Sequence, residues 1–394
     1  MTTASLQDDQ SITTAETITK NTAKETNKNI TQLSDEQIHK LLTSALDRIF
    51  QHIDLTFDEM HQVMLIIMQG KCSNAMMGAI LTGLRMKGES IDEITAAASA
   101  MRDLAANIAP NACDYLVDIV GTGGDGANLF NVSTASALVA AAAGAQVAKH
   151  GNRGVSTRSG SSDLLEKAGI SLALTPLQAL DCIENQGIGF LFAPNHHSAM
   201  RYANPVRREL KARTIFNILG PLTNPAGVPN LVIGVFTPQL CEPLAKVMKN
   251  LGARHVMVVG AKDGLDEISL ATSTTVAELK DGKISLYELM PEDAGIESQT
   301  LIGLDVDSPE QSLKLIRAAL SGNDTTERSI LKARDMIALN AGAAIYTSGI
   351  ASTYSDGVSQ AQKVIQNGSA LIKLETLANY TQQLATNTGN AAND

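Results

Sequence analysis

The sequence predicts an α/β protein that consists of a small N-terminal helical domain and a larger α/β domain with a mostly parallel central sheet. Its 394 residues give room for two or three domains of about 150 residues each. Apolar residues follow helical spacing between residues 34 and 104. From Tyr115 onwards, short apolar runs alternate with helical stretches, which is the pattern of a sheet covered by helices.

Four helices are predicted in the N-terminal part. Ser34 is a suitable N-cap, with Glu36 and Gln37 near the third helical position and apolar residues at helical spacing after them. Further helical stretches cover residues 56–69, 73–87 and 90–104. Residues 1–32 are rich in Thr, Asn, Gln and Lys without periodicity, and they predict a disordered tail. The helical domain is therefore assigned to residues 33–110.

The α/β domain is assigned to residues 111–198 and 223–388. Strands are predicted at residues 115–120, 146–148, 187–192, 231–236 and 255–259, with helices at 134–143, 176–185 and 238–251 between them. Residues 199–222 carry helical patterns and no strand of their own. We expect this segment to pack back on the N-terminal helices.

Charge and composition exclude several classes of protein. Lys plus Arg number 31 against 41 Asp plus Glu, so a net charge of −10 repels nucleic acid and anionic membranes. Trp is absent, and no apolar run approaches the roughly 18 residues of a membrane span. The N-terminus lacks the pattern of a secretory signal. We expect neither a nucleic-acid nor a membrane partner.

The four cysteines indicate a reducing compartment. They are far apart in the sequence and form no CxxC motif or zinc-ligand spacing; they are Cys72, Cys113, Cys182 and Cys241. A cytoplasmic location is the expectation.

The glycine loop at residues 121–126, Gly-Thr-Gly-Gly-Asp-Gly, fits the G-x-G-x-x-G pattern after a strand. Dinucleotide binding would require an acidic residue about 20 positions further on, but none occurs between Asp125 and Asp163. The Walker pattern fails as well, because no Gly-Lys-Ser/Thr follows. A glycine loop and a helix that begins near residues 131–134 remain, and together they offer backbone N–H groups to a phosphate.

Two further segments carry site chemistry. Residues 149–163 hold three cationic side chains, five hydroxyls and three glycines at a strand end, a composition that suits a multiply phosphorylated small molecule. The three cations are Lys149, Arg153 and Arg158. After the strand at 255–259, Asp266 and Glu267 offer the hard oxygen ligands that Mg²⁺ prefers when it bridges to substrate phosphates.

These motifs, in this order and spacing, resemble the anthranilate phosphoribosyltransferase family over residues 34–385. The motifs that carry the resemblance are Gly121-Thr-Gly-Gly-Asp125, Asn131-Val-Ser-Thr134, Lys149-His-Gly-Asn-Arg153, Gly160-Ser-Ser-Asp163, Phe190-Leu-Phe-Ala-Pro194, Arg207, Asn217-Ile-Leu-Gly-Pro-Leu-Thr-Asn-Pro225 and Leu265-Asp-Glu267.

The resemblance implies a fold like that of nucleoside phosphorylases and phosphoribosyltransferases, assembled as a homodimer. It implies transfer of the phosphoribosyl group of phosphoribosyl pyrophosphate (PRPP) to the amine of anthranilate. The products would be N-(5-phosphoribosyl)anthranilate and pyrophosphate, in the second step of tryptophan biosynthesis from chorismate. No residue is assigned as a catalytic acid or base, since positioning and stabilisation of the leaving group suffice.

The resemblance also implies the site residues. PRPP would lie between the domains, in the α/β PRPP-binding domain, on Gly121, Gly124, Asp125, Leu129, Asn131, Val132, Ser133, Thr134, Lys149, His150, Gly151, Asn152, Arg153, Gly154, Val155, Ser156, Thr157 and Ser161. Anthranilate would contact Gly121, Asn152 and Arg207. Two Mg²⁺ ions would be served by Ser133, Asp266 and Glu267. Leu129 departs from the family pattern, in which a small polar residue is usual.

Two alternatives stay open on the residues alone. A nucleoside phosphorylase-like enzyme would also use a glycine loop and a lysine. The motif Lys149-His-Gly-Asn-Arg153 and the adjacent acids Asp266 and Glu267 argue against this alternative. A non-enzymatic nucleic-acid-binding homologue would be expected to show a basic groove and eroded motifs. The net charge of −10 and the intact motifs disfavour that class.

Overall fold

The computed structural model describes residues 30–111, 113–154 and 158–391. Of the predicted tail, only residues 30–32 lie within these ranges. The first helices are α1 (Asp35–Phe50), α2 (Phe57–Met68), α3 (Asn74–Lys87), α4 (Ile91–Asp103), α5 (Val132–Ala142), α6 (Ser161–Lys167), α7 (Pro176–Gln186) and α8 (Ala193–His196). The later helices are α9 (Asn204–Leu210), α10 (Phe216–Leu219), α11 (Cys241–Asn250), α12 (Pro309–Leu320), α13 (Arg328–Ser348), α14 (Tyr354–Gln366) and α15 (Ser369–Ala391). The strands are β1 (Leu116–Gly121), β2 (Gln146–Gly151), β3 (Ile188–Phe192), β4 (Asn230–Gly234), β5 (His255–Ala261), β6 (Thr274–Lys280) and β7 (Lys283–Leu289).

The chain divides into two compact units. The first holds the described residues up to Ala105 together with Ala199–Phe216. The second holds Ala106–Ser198 and the described residues from Asn217 onwards. Within the described ranges, none of the helices combines the length and the apolar character that crossing a bilayer requires.

The first unit is a bundle of helices whose starts are fixed by side-chain caps. Ser34, Thr56 and Ser90 each form a capping box with the residue three positions later, which satisfies N–H groups left free at a helix start. The segment 199–216 belongs to this unit through close packing. A Cβ at Gly70 would lie only 2.5 Å from the Tyr202 ring, so this glycine is needed for the approach.

The second unit is built on a seven-stranded sheet in the order β3-β2-β1-β4-β5-β6-β7. The neighbours from β3 to β5 are parallel, whereas β6 and β7 are added antiparallel. The mostly parallel sheet is thus confirmed. The β6–β7 hairpin was not predicted, although its turn contains Asp281 and Gly282, both at positive φ as a type I′ turn requires.

Helices α5 and α13 pack against β1 and against each other, and α11 packs against β5 and β6. The small side chains of Ala135, Ala137 and Ala140 on α5 are completely buried, which lets α13 approach closely. Because β1, β2 and β5 are neighbours or near neighbours with the same direction, their carboxyl ends lie at one edge of the sheet. The ends of these three strands and the loops and helix starts that follow them carry the predicted site residues other than Arg207.

Candidate active site

The glycine loop after β1 is joined to the acidic loop, which is residues 262–273 after β5 and contains Asp266 and Glu267. The backbone N–H of Gly123 donates a 2.6 Å hydrogen bond to Oδ2 of Asp266. A Cβ on Gly121 would lie 2.3 Å from the same oxygen, so only glycine leaves room for the carboxylate. Gly123, Gly124 and Gly126 have φ values of 68°, 80° and 76°, which residues with side chains rarely adopt. Glycine is therefore required here both for conformation and for space.

Helix α5 begins at Val132, two residues earlier than predicted, with Asn131 as its N-cap. The Asn131 side chain makes no capping bond to its own helix; its Oδ1 accepts hydrogen bonds of 2.7 Å from both Ser159 and Ser312. The N–H of Ser133 in the first turn donates instead to Oε1 of Glu267, at 3.1 Å. The partly positive start of α5 thus faces a carboxylate from another loop.

Lys149, on β2, lies buried behind these loops rather than at the surface. Its Nζ donates to the carbonyl oxygen of Ile119 at 2.7 Å and to Oγ of Ser133 at 3.4 Å. Burial lowers the pKa of Lys149, while the nearby carboxylates of Asp118 and Glu267 act in the opposite direction. The lysine thereby places a cation at the junction of β1, β2 and α5.

Asp266 and Glu267 form a partly buried acidic pair. Burial raises the pKa of Asp266 to about 6, and the neighbouring Asp125 adds to the effect. Burial and the Asp266 charge likewise raise the pKa of Glu267 well above its ordinary value. Closely spaced carboxyl oxygens that disfavour one another's charge are stabilised by a cation, so the donor set fits Mg²⁺.

The acidic pair does not form a complete metal cage. Among the described residues, no group of three or more His, Cys, Asp or Glu side chains is arranged to hold a metal ion. Mg²⁺ commonly takes one or two carboxylates and completes its shell with water and substrate phosphate. The arrangement therefore suits an ion that arrives with a phosphorylated substrate.

The loop after β2 is held by two carboxylates of α6, Asp163 and Glu166. Arg153 Nη1 lies 3.1 Å from Asp163 and 2.9 Å from Glu166. The N–H groups of Gly154 and Gly160 both donate to Oδ2 of Asp163, at 3.0 and 3.1 Å. Asp163 therefore closes the base of this loop.

The remaining residues of this loop have simpler surroundings. Arg158 forms an ion pair with Asp307, and the hydroxyl of Ser161 donates to the carbonyl oxygen of Asn152 at 3.2 Å. Two of the cations predicted to meet phosphate are thus paired with carboxylates. The predicted contacts Val155, Ser156 and Thr157 lie outside the described residues.

Two buried histidines lie side by side in the second unit. The rings of His150 and His197 are 5.3 Å apart, and neither Nε2 has a hydrogen-bond partner within the described part of the chain. Burial lowers the pKa of His197 to about 4 and that of His150 well below its ordinary value. Both rings are therefore neutral at pH 7. Nδ1 of His196 contacts the carbonyl oxygen of Ala106 at 2.9 Å.

Three other predicted residues differ in their surroundings. Leu129 pairs through its backbone with Asp305 and packs against the apolar core, so its departure from a small polar residue is explained by packing. The Thr134 hydroxyl is buried without a partner among the described residues. Arg207 lies in the first unit, where its guanidinium stacks 5.4 Å from the Phe216 ring centre.

Two further buried polar residues, Asp118 and Asn340, contact the site although no sequence motif indicated them. Asp118 is completely buried; it accepts from the backbone N–H of His150 at 3.2 Å and from Nδ2 of Asn224 at 2.7 Å. Burial raises its pKa to about 6, and the Lys149 charge opposes that rise. Asn340, on α13, is completely buried and bonds the acidic loop. Each is the single polar residue of an apolar stretch, in β1 for Asp118 and in residues 336–345 for Asn340, and this signal could have identified both.

Comparisons with known proteins show which family the chain resembles. The Glycosyl transferase family, a/b domain, matches residues 114–371, and the helical bundle domain of the same family matches residues 43–105. Anthranilate phosphoribosyltransferase from Psychrobacter sp. (strain PRwf-1) is 68% identical over 356 residues, which cover 89% of this chain and 96% of the relative.

Two solved structures share the fold over most of their length. The crystal structure of anthranilate phosphoribosyltransferase from Thermus thermophilus has a TM-score of 0.80 at 40% identity and covers 86% of this chain and 99% of its own. The enzyme from Saccharomyces cerevisiae in complex with PRPP and Mg has a TM-score of 0.79 at 26% identity, covering 87% and 98%. The chain therefore belongs to the anthranilate phosphoribosyltransferase family.

Proposed function

We propose that the chain transfers the phosphoribosyl group of PRPP to the amine of anthranilate, releasing pyrophosphate and N-(5-phosphoribosyl)anthranilate. The observation that carries this proposal is the meeting of the glycine loop, the start of α5 and the acidic pair through Gly123–Asp266 and Ser133–Glu267. At this point N–H groups that can donate hydrogen bonds to phosphate lie next to carboxylate oxygens that can bind a metal ion. A magnesium-bound pyrophosphate requires both.

The chain's own donors would bind PRPP. The N–H groups of Gly123 and Ser133 are bonded to carboxylates in the structure. We expect pyrophosphate oxygens to take these donors, which releases the carboxylates for metal binding. Lys149 adds a fixed positive charge behind Ser133. Preorganised donors of this kind stabilise negative charge as it develops on a leaving group.

Asp266 and Glu267 would hold Mg²⁺, with Ser133 beside them. When bound, the ion neutralises the charge that develops on the pyrophosphate. The two carboxylates come from one short loop, and each already reaches a different phosphate-binding element of the site. We propose that two ions are bound with PRPP, as the resemblance implies.

Arg207 and Asn152 would contact anthranilate. No ion pair among the described residues engages Arg207, in contrast to Arg153 and Arg158, and its guanidinium can therefore bind the anthranilate carboxylate. The aromatic amine is unprotonated at pH 7, so no base is needed to generate the nucleophile. His150 and His197 are neutral and are assigned no proton transfer.

The decisive experiment mixes the protein with PRPP, Mg²⁺ and anthranilate and follows anthranilate fluorescence. Loss of fluorescence that requires all three components, with release of pyrophosphate in equal amount, is the expected result. Unchanged fluorescence with active substrates would rule the proposal out. Inorganic phosphate with nucleosides in place of PRPP provides the matched test for nucleoside phosphorylase activity.

We also propose that two copies of the chain associate as a homodimer in the cytoplasm. Large apolar side chains are exposed on the first unit, and Phe50 and Met86 are 62% and 79% exposed. The four cysteines all lie within the described residues and are free, as in a reducing compartment. Sedimentation equilibrium tests the dimer, and a monomer mass at micromolar concentration would contradict it.

A further inference from the structure

Asn340 is a completely buried carboxamide in the middle of α13. Its Oδ1 accepts the backbone N–H of Ile268 at 2.8 Å, and its Nδ2 donates to the carbonyl oxygens of Ile268 and Met336, each at 3.0 Å. A buried carboxamide is costly unless its polar atoms are bonded. Here two of its three bonds reach outside the helix, and both are made to one residue, 72 positions away.

That residue directly follows Glu267. The N–H of Ile268 belongs to the peptide bond that links it to Glu267, and its carbonyl belongs to the next peptide bond. A two-point hydrogen bond from one rigid amide therefore fixes the orientation of the backbone on both sides of Ile268. The position of the Glu267 side chain depends on this orientation.

The acidic loop makes further hydrogen bonds within itself, to β6, to Gln299 and to the proposed site. Ser269 donates through its N–H to Thr274 and through its hydroxyl to Asp263, at 3.0 and 2.6 Å. Asp266 and Glu267 accept from the N–H donors that PRPP is proposed to take. Asn340 instead anchors the loop to α13, the helix that also packs against α5.

We propose that Asn340 is a positioning residue that, through Ile268, sets the Asp266 and Glu267 carboxylates at the distance from α5 that metal binding needs. This inference rests on the proposed metal role of those two acids. Residues that orient metal ligands commonly change metal affinity about 10- to 100-fold when they are removed. A residue that only stabilised the core would lower stability and leave metal affinity unchanged.

The test compares Asn340→Ala with Thr347→Val. Thr347 is equally buried on the same helix, but its hydroxyl bonds only to carbonyl oxygens of that helix, Ala343 and Ala344. Bound Mn²⁺ is counted by electron paramagnetic resonance with PRPP present and anthranilate absent, so the readout does not depend on turnover. For each variant, the Mg²⁺ concentration for half-maximal rate and the KM for anthranilate are also measured.

Asn340→Ala should weaken Mn²⁺ binding and raise the Mg²⁺ requirement, each by about tenfold or more, with little change in the KM for anthranilate. Thr347→Val should leave both metal readouts unchanged even where its Tm falls. Equal metal binding in Asn340→Ala and the unchanged protein would overturn the proposal. If Asn340→Ala does not fold, Asn340→Asp, which keeps the size and the acceptor for Ile268, carries the same test with a smaller expected shift.

A double variant, Asp266→Ala with Glu267→Ala, separates this inference from the proposed metal site. If the double variant loses Mn²⁺ binding and the Asn340 variants do not, the metal site stands and the positioning role fails. If the double variant binds Mn²⁺ like the unchanged protein, the metal site itself is wrong, and the positioning role falls with it.

Discussion

The backbone N–H of Ser133 donates a hydrogen bond of 3.1 Å to Oε1 of Glu267, although 134 residues separate the two in sequence. A helix start carries partial positive charge and free N–H groups, so a carboxylate placed there is stabilised. The same carboxylate is the proposed ligand of Mg²⁺. One contact thus joins the proposed phosphate-binding and metal-binding halves of the site.

Replacing Asp266 and Glu267 together by alanine should raise the Mg²⁺ concentration for half-maximal rate by about tenfold or more, since the two proposed carboxylate ligands are then lost. Titration of initial rate with Mg²⁺ at saturating PRPP measures this. Glu288→Ala, which removes an exposed acid on β7, is the control and should titrate like the unchanged protein. An unchanged titration in the double variant would remove both acids from the metal site.

Gly234 at the end of β4 should be intolerant of any side chain. A Cβ there would lie 1.6 Å from the carbonyl oxygen of Asp266, so Gly234→Ala must displace the acidic loop. We expect the free energy of unfolding to fall by about 3 kcal/mol, which is typical of an overpacked core. The Mg²⁺ concentration for half-maximal rate should rise, because the acidic loop is displaced. Chemical denaturation and the Mg²⁺ titration measure the two effects.

Gly78→Ala provides the comparison for Gly234. Gly78 lies on α3, and a Cβ there would meet only the Val206 side chain, at 3.9 Å. Alanine in a helix reduces the entropy of the unfolded chain, so this variant should be neutral or slightly stabilised. If both glycine variants behave alike, the close approach of Asp266 to β4 is not important for the site.

Helix starts and the fold class could be predicted because their signals lie between residues that are close in sequence. Ser34 and Ser90 begin helices because each is followed three positions later by a Gln or Glu that completes the capping box, and both residues of the motif are visible in the sequence. The fold class was predictable for the same reason, since apolar periodicity is local. The β6–β7 hairpin was missed because its outer strand is mostly exposed and lacks a continuous apolar run.

The sequence predicts the candidate site as a set of motifs, but it does not predict the contacts between them. Lys149 and Arg153 were both expected to offer charge to phosphate, but Lys149 bonds a strand carbonyl and Arg153 is paired with Asp163 and Glu166. Such pairings depend on which loops meet in space. The bond between Asn340 and Ile268 is equally invisible in the sequence, because 72 residues separate them.

Acid should destabilise the protein partly through His197. Burial lowers its folded-state pKa to about 4 from 6.5, so between these values the unfolded chain binds the proton more readily. The neutral ring therefore makes its full contribution to the free energy of unfolding above pH 6.5. This contribution is lost as the pH falls towards 4, by up to about 1.4 kcal/mol per pH unit. His197→Gln should show a correspondingly shallower loss of unfolding free energy over this window.

Urea denaturation at half-unit steps from pH 7.5 to 4.5 measures that slope. His39→Gln, which replaces an exposed histidine on α1, is the control and should keep the slope of the unchanged protein. Identical slopes in the unchanged protein and in His197→Gln would show that this ring does not titrate in the folded state as its burial indicates.

Arg207→Ala should separate the two substrates. A two-point, charge-assisted bond to the anthranilate carboxylate is worth about 1.5 to 3 kcal/mol, so kcat/KM for anthranilate should fall about 10- to 100-fold. The KM for PRPP should change little, because the glycine loop and the start of α5 are untouched. Arg208→Ala, which removes the neighbouring exposed guanidinium on α9, is the control and should keep both constants. An equal loss for both substrates would mean that Arg207 supports the fold of the first unit, through its stacking on Phe216, rather than the binding of anthranilate.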